Sequence, residues 1–432
     1  MLSSRTIYDS GKFDYFVWVV FLVIGLLGLI NHEIWLDEAH HWLVIRDVEN
    51  FSEFITVESV DDQPFIWPIL IYCIRFFSDD IIAFQLFHFC IGAVSALLFV
   101  RHAPFNKNIK YLFIFSYSML YEYLIISRNY SLSVLLIVIF LIYFRKKGML
   151  TKAIVLGVLA NTHFFAAILA SIILIYELNP RIRDVSVFNK RKVLAYMIFS
   201  GFIILLFLQL WNSLDHAVMT QYNTWTFFER LKRMVSLHFR SFIMIPDFSS
   251  VHFWGGVLPF KISKAFGLLA IPMFLFPVLL LQTRKVRWAY YLTTIAISIF
   301  LFSIHQPIAA RYSCFIFICF ITFYWLQKED LIDEVNRVTK YSQYLLSALL
   351  FIQMLSGITS VFFEYKYPFS QGKNVAEYIE QNGYIDWPII IHPYSASPAV
   401  SAYLGKPYYS LVTKSMASFC RWETNPFRSI VF

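Results

Sequence analysis

The chain has 432 residues, of which 58% are hydrophobic and only 15% charged, with 46 Phe and 26 Tyr among them. A soluble domain runs at about 25% charged and 45–50% apolar; here the apolar excess is spread along the whole length, which excludes a soluble core. The formal net charge of +8 does not point to nucleic acid, because Lys and Arg gather in short loops (101–110, 145–152, 179–192 and 283–287), as they do in the cytoplasmic loops of membrane proteins.

In chain order, apolar runs near the roughly 18–20 residues of a spanning helix predict spans at 13–30, 81–100, 110–125, 129–145, 151–161, 163–178, 192–211, 263–282, 287–304, 311–327 and 341–360. The expectation is an all-α polytopic membrane domain over residues 1–360 with about eleven transmembrane helices. The first run begins at Phe13 and has no small-residue cleavage site after it, so it reads as a retained helix and not as a removed signal peptide. With the basic loops inside, the N-terminus is cytoplasmic, and an odd number of crossings leaves the tail after Gly357 outside.

Three extracytoplasmic segments result, at 31–80, 212–262 and 361–432. Within the first, the 13-residue apolar run Phe65 to Phe77 is too short to span and carries Pro68 and Arg75, so it is expected to lie in the interface. Within the last, NVAEYIEQNGY reads as a helix ended by Gly383, WPIIIHPY as a strand, SPAVSAYLG as a second helix and KPYYSLV as a second strand. That is a small α/β tail. Cys73, Cys90, Cys314 and Cys319 fall in or beside apolar segments, Cys420 stands alone, and no CxxC occurs, so neither disulfides nor a cysteine metal site are expected.

The most informative stretch is HEIWLDEAHHWLVIRD (His32 to Asp47), which follows the first apolar run. Written as a helix, it sets Asp37 one turn from His41 and Glu38 beside Trp42. In the plainest reading it is an interfacial helix with aromatics down and carboxylates solvated. A metal pair, Asp37 with His40 or His41, has suitable ligand types but makes half a site. The preferred reading is a general base, which needs one well-placed carboxylate in a partly dry pocket.

Other signals fall on the same side. Asp61-Asp62-Gln63-Pro64 precedes the interfacial run; Arg128 and Tyr130 stand at one outer span end, and His305, Arg311 and Tyr312 at another. An arginine at a membrane boundary serves as a snorkelling anchor or as a phosphate fork. Trp225 and Trp254 fit either a membrane anchor or an acceptor groove.

The succession LDEAHHWLV, DDQPFIWPILIY, SRNYSLSVLLIV and AARYSCFIFI resembles the GT-C superfamily of integral-membrane glycosyltransferases, in the branch of protein O-mannosyltransferases and lipid A aminoarabinose transferases. The resemblance covers roughly residues 10–330 by order and topology. It implies a sugar donor carried on a polyprenyl phosphate and an acceptor hydroxyl on a glycan, lipid or protein. Asp37 would be the catalytic base with Glu38 beside it, and transfer would invert the anomeric centre. Arg128 and Arg311 would hold the lipid phosphate, with Tyr130, Tyr312, Asp62, Gln63 and His305 as further substrate-binding candidates. Some relatives bind a divalent metal in the first loop, which keeps His40 and His41 as metal candidates.

Three departures leave sugar and acceptor open. Gln63 stands where the family usually has His, Phe65 replaces a second proline, and no proline closes the Arg311-Tyr312 element. The other readings are a transporter or flippase for a lipid-linked glycan and a non-catalytic scaffold. Transport would favour charged or polar residues at mid-span, broken helices in symmetric halves and internal repeats, and the sequence shows little of that. The sequons at Asn50 and Asn129 lie near the supposed site, where a bulky glycan would obstruct it. The expected place is therefore a bacterial cytoplasmic membrane, with the site facing outward.

Overall fold

Apolar residues on every face of a helix leave no soluble surface, and backbone amides in lipid must bond within their own segment. The chain accordingly folds as helices. The computed structural model describes residues 4–420 apart from 60, 62, 145, 147, 179–189, 212–225, 304–308, 331–336, 393–395 and 412.

α1 (Ser4–Asn31) leads to three short helices, α2 (Leu36–Asp47), α3 (Phe51–Glu58) and α4 (Ile66–Ile74), and then to α5 (Ile81–His102). α6 (Lys107–Ile114) gives way to a π-helical turn, Tyr117–Glu122. α7 (Tyr130–Tyr143), α8 (Met149–Ala160), α9 (Phe164–Leu178), α10 (Lys190–Leu210) and α11 (Phe227–Phe242) follow. Next come α12 (Leu258–Ile262), α13 (Ala270–Leu275), α14 (Pro277–Leu280), α15 (Arg284–Ser303), α16 (Ala310–Asp330) and α17 (Arg337–Lys366). The tail holds α18 (Gly372–Gln381), α19 (Ser397–Leu404) and the antiparallel strands β1 (Tyr408–Ser410) and β2 (Ser415–Ala417), with Tyr408 opposite Ala417.

Among the described residues, α1, α5, α10, α15, α16 and α17 each contain a stretch long and apolar enough to cross a membrane, and the segments of α7, α8, α9 and α13–α14 are shorter apolar helices. The predicted spans 110–125 and 263–282 are not continuous helices. The first breaks at Phe115, where the Ser116 side chain caps the π turn. The second is divided among a 3-10 turn (Lys264–Leu269), α13 and α14, with Pro272 and Pro277 interrupting the hydrogen-bond ladder. α16 is 94% buried along its apolar stretch and α10 only 17%. α16 is therefore the axis of the bundle, and α10 turns Ile204, Phe207 and Leu208 outward, where lipid acyl chains would lie.

Helices approach closely where side chains are absent. A Cβ on Gly357 of α17 would stand 2.8 Å from the Phe115 carbonyl oxygen and 3.1 Å from Tyr117 N, so α17 presses directly on the α6 break.

The first loop is not a one-sided interfacial helix. Ala39, Trp42, Leu43, Val44 and Ile45 of α2 are all buried, in a cluster with Ile34, Trp67 of α4, Phe84 of α5 and Phe419 of the tail. Trp42 stacks on Phe84 at 6.1 Å. The tail covers the face that solvent or headgroups would otherwise meet: Ile34 N donates to Tyr403 Oη (3.0 Å) and Ser370 Oγ to Ile34 O (2.8 Å).

The tail's two helices form as the sequence predicts, and Gly383 (φ +70°) and Gly405 (φ +64°) supply the left-handed residues that end them. Over its described residues, 387–392, the segment WPIIIHPY forms no strand beyond one isolated bridge from Ile390 to Tyr409; Pro393 and Tyr394 lie outside the described residues. β1 pairs instead with β2, which alternation in so short a segment does not reveal.

Candidate active site

The chain turns sharply between α1 and α2, and Glu38 holds the turn. Its Oε2 accepts from Trp35 N (3.1 Å), its Oε1 accepts from Ser127 N (2.6 Å), and His32 Nε2 lies 3.1 Å from Oε2. His32 Nδ1 reaches Glu364 of α17 at 3.2 Å, and Tyr121 donates to the same Glu364 oxygen. Burial alone would lower the His32 pKa; Glu38 and then Glu364 overcome it and raise the value to about 10. Glu38, also opposed by burial, is held below the usual range chiefly by that imidazolium. The Ser127 bond fixes the backbone immediately before Arg128.

Asp37, one residue earlier, faces the other way electrostatically. Arg128 Nη2 stands 3.2 Å and Arg311 Nη2 3.7 Å from Asp37 Oδ2. Burial pushes the Asp37 carboxyl up, but Arg128 and then Arg311 hold it below the usual carboxylate range. Its side chain is 35% exposed, against 10% for Arg128 and 23% for Arg311, so the carboxylate is what an incoming molecule meets first.

Arg128 Nη1 also lies 4.0 Å from Glu122 of the π turn, and its guanidinium sits 5.8 Å from the Trp35 ring centroid. Arg128 Nε, buried, has no hydrogen-bond partner among the described residues. Arg311 lies over the Tyr312 ring at 4.9 Å, with its Nη2 3.4 Å from the Tyr312 hydroxyl. Two guanidiniums thus converge on one partly open carboxylate, with donor capacity to spare for an anion.

Asp37, Arg128, Arg311 and Tyr312 are therefore brought together. Gln63 is adjacent through Asn129, whose Nδ2 donates to Gln63 Oε1 (2.6 Å) and to the Thr162 carbonyl (2.9 Å). Tyr130 is buried in the support, its hydroxyl 2.7 Å from His163 Nε2 and its ring stacked on Tyr123, which donates to the Arg311 carbonyl. His40 lies 3.3 Å from Asp61, and His41 lies 3.8 Å from Glu58 and 3.7 Å from Asp61, with its charge also acting on Asp37. Asp62, His305 and Trp225 lie outside the described residues. Trp254 stacks on Phe369 at 4.1 Å, joining the second loop to the tail.

Sequence reasoning missed Glu122, His32, Glu364 and Glu58. For Glu122 a signal exists: an acid inside the apolar run YSMLYEYLIIS is a functional candidate by default.

No protein-family profile matches the sequence, and no curated protein does. Among solved structures, the fold is similar to that of the crystal structure of ArnT from Cupriavidus metallidurans bound to undecaprenyl phosphate. The two share 14% identity and a TM-score of 0.51, over 92% of this chain and 86% of that one. The chain thus shares the fold of that structure, a polytopic helical membrane architecture of the kind expected from its motif order.

Proposed function

We propose that the protein is a membrane glycosyltransferase that moves a sugar from a polyprenyl-phosphate carrier to an acceptor hydroxyl on a glycan, lipid or protein. The observation behind this reading is the convergence of Arg128 and Arg311 on the partly exposed Asp37 carboxylate. The fold neighbour's undecaprenyl phosphate belongs to the same class of carrier.

The geometry suggests how substrate sets the base free. Before donor binds, both guanidiniums are occupied by Asp37, which makes it a poor base. A phosphodiester entering the site competes for them, and as they turn to phosphate the Asp37 carboxylate loses its counter-ions and gains proton affinity. The acceptor hydroxyl then donates to Asp37. Its oxygen attacks the anomeric carbon from the face opposite the phosphate; the new C–O bond forms as the old one breaks, the electron pair leaves with the carrier phosphate, and the proton ends on Asp37. Arg128 and Arg311 stabilise the charge that develops on the leaving oxygen. Glu38 is a positioning residue in this scheme, since its oxygens are engaged with His32, Trp35 N and Ser127 N. The reaction takes place at the outer face of a bacterial cytoplasmic membrane, where lipid carriers are the form in which activated sugar is available.

The test is turnover by wild-type protein in proteoliposomes supplied with a panel of polyprenyl-phosphate sugars and a glycolipid acceptor. Release of free polyprenyl phosphate with one donor supports the proposal. A donor that crosses the bilayer unchanged would overturn it in favour of transport.

A further inference from the structure

A concavity opens where three span ends meet the tail. The stretches long and apolar enough to cross a membrane end at Asn31 in α1 and Lys366 in α17 and begin at Ile81 in α5. Together with α18 and α19 these ends enclose a cavity of about 490 Å³, a size usual for ligand sites. Its level is therefore the boundary where hydrocarbon gives way to headgroups. The lining carries both signs of charge: the acids Glu33, Asp80 and Glu364, and the bases Lys366 and Lys373. Ile30 and Ile82 add exposed apolar surface beside them. Two of the acids are short of donors. Glu364 is 2% exposed; its Oε1 serves Tyr121 and His32, and its Oε2, buried, has no hydrogen-bond partner among the described residues. Glu33 Oε2 is likewise buried without one. Burial raises the Glu33 pKa more than Lys373 lowers it, the mark of a carboxylate short of counter-charge.

We propose that this cavity binds the headgroup of a lipid that carries both a primary ammonium and a phosphate, of the phosphatidylethanolamine type. The ammonium, with three N–H donors, goes to Glu33 and Glu364. The phosphate goes to Lys366 and Lys373, and the acyl chains leave along Ile30 and Ile82. A purely anionic headgroup would face three carboxylates, and a choline headgroup has no N–H to offer their oxygens. The carrier phosphate of the transfer goes to Arg128 and Arg311, neither of which lines this cavity. Because Glu364 holds His32 and His32 holds Glu38, an occupant here steadies the turn that leads into α2. The site does not depend on the transferase reading.

The experiment is native mass spectrometry of the full-length protein in detergent, titrated with phosphatidylethanolamine, phosphatidylcholine and phosphatidylglycerol of identical acyl chains. The expected result is one retained phosphatidylethanolamine, bound at least about tenfold more tightly than either of the others, the factor that one hydrogen bond to a charged group supplies. Glu33→Gln and Lys373→Ala should each lose most of that preference, and Glu49→Gln, at an exposed position, should keep it. Soluble glycerophosphoethanolamine at equal concentration should displace none of the lipid. Equal binding of the three lipids, or binding of none, overturns the proposal. An unchanged preference in both cavity variants overturns the placement of the site, and displacement by the soluble headgroup overturns the lipid assignment in favour of a free amine–phosphate. Because the comparison of lipids on the wild type needs no variant, a misfolded variant does not remove the test.

Discussion

Asp37 stays ionised against the pull of burial because two guanidiniums face it, and that balance has a sign that can be checked. A carboxyl held below its ordinary value of about 3.9 keeps its charge as pH falls, so the acid limb of kcat/KM lies below that value. Removing the nearer cation in Arg128→Gln raises the Asp37 pKa and moves the limb of the residual activity to higher pH; an unmoved limb would contradict the pairing. The same pairing contributes stability above the unfolded value, lost only as pH falls through the lowered one.

His32 has the opposite sign. Its pKa is raised to about 10, so its bonds to Glu38 and Glu364 contribute fully below about pH 6.5 and fade as pH rises toward 10. The Tm of the wild type should fall over that window, and that of His32→Gln should fall less. Glu38→Gln leaves the imidazolium short of a partner. Breaking a buried pair costs about 3–5 kcal/mol, and here the donor KM should rise as well, because Ser127 and hence Arg128 lose their anchor. An unchanged KM would separate Glu38 from the site. Asp37, Arg128 and Arg311 were legible in the sequence because each closes a motif at a span end. Glu364 and Glu58 were not, because their partners lie far along the chain or across a turn whose closure no local pattern encodes.

At the scale of elements, the break between α6 and the π turn sets where Glu122 and Tyr121 point. Gly357→Ala would drive a methyl group into the Phe115 carbonyl at 2.8 Å, a backbone contact that cannot rotate away. Overpacking of this kind costs roughly 1–3 kcal/mol, so thermal unfolding should fall by several degrees. Gly201→Ala in α10, with nothing within 4 Å, should leave it level or slightly higher. Equal effects at both positions would contradict the close approach. Hydrophobic length located these segments but not their breaks, since YLFIFSYSMLYEYLII is apolar enough to read as one helix. What interrupts it is the Ser116 cap and the pressure of α17. The tail's helices were legible from their terminal glycines, whereas β2 depends on pairing with β1.

At the scale of the whole molecule, the bundle turns apolar side chains outward along α1 and α10 and gathers most of its buried acidic residues, Glu38, Glu58, Asp61, Glu122 and Glu364, around the first loop and the elements that meet it. The tail completes this arrangement by covering α2, through Phe419, Tyr403 and Ser370. Truncation after Tyr367 should therefore raise amide hydrogen exchange across residues 34–47 while leaving α16 protected; unchanged exchange there would show that the tail is dispensable to the loop. Composition and charge placement made the membrane class legible, and motif order made the fold class legible. The covering of the loop was not, because the tail's apolar positions are too sparse to announce a partner.

The central claim is that Asp37 takes the acceptor proton while Arg128 and Arg311 hold the carrier phosphate. The most direct measurement compares donor binding and donor consumption by wild type and Asp37→Asn in lipid, with the donor that the wild type turns over. The account predicts that the amide variant folds, binds that donor at least as tightly, because the arginines no longer share a carboxylate, and consumes it about 10²–10⁴-fold more slowly. Equal consumption by the two proteins would contradict it.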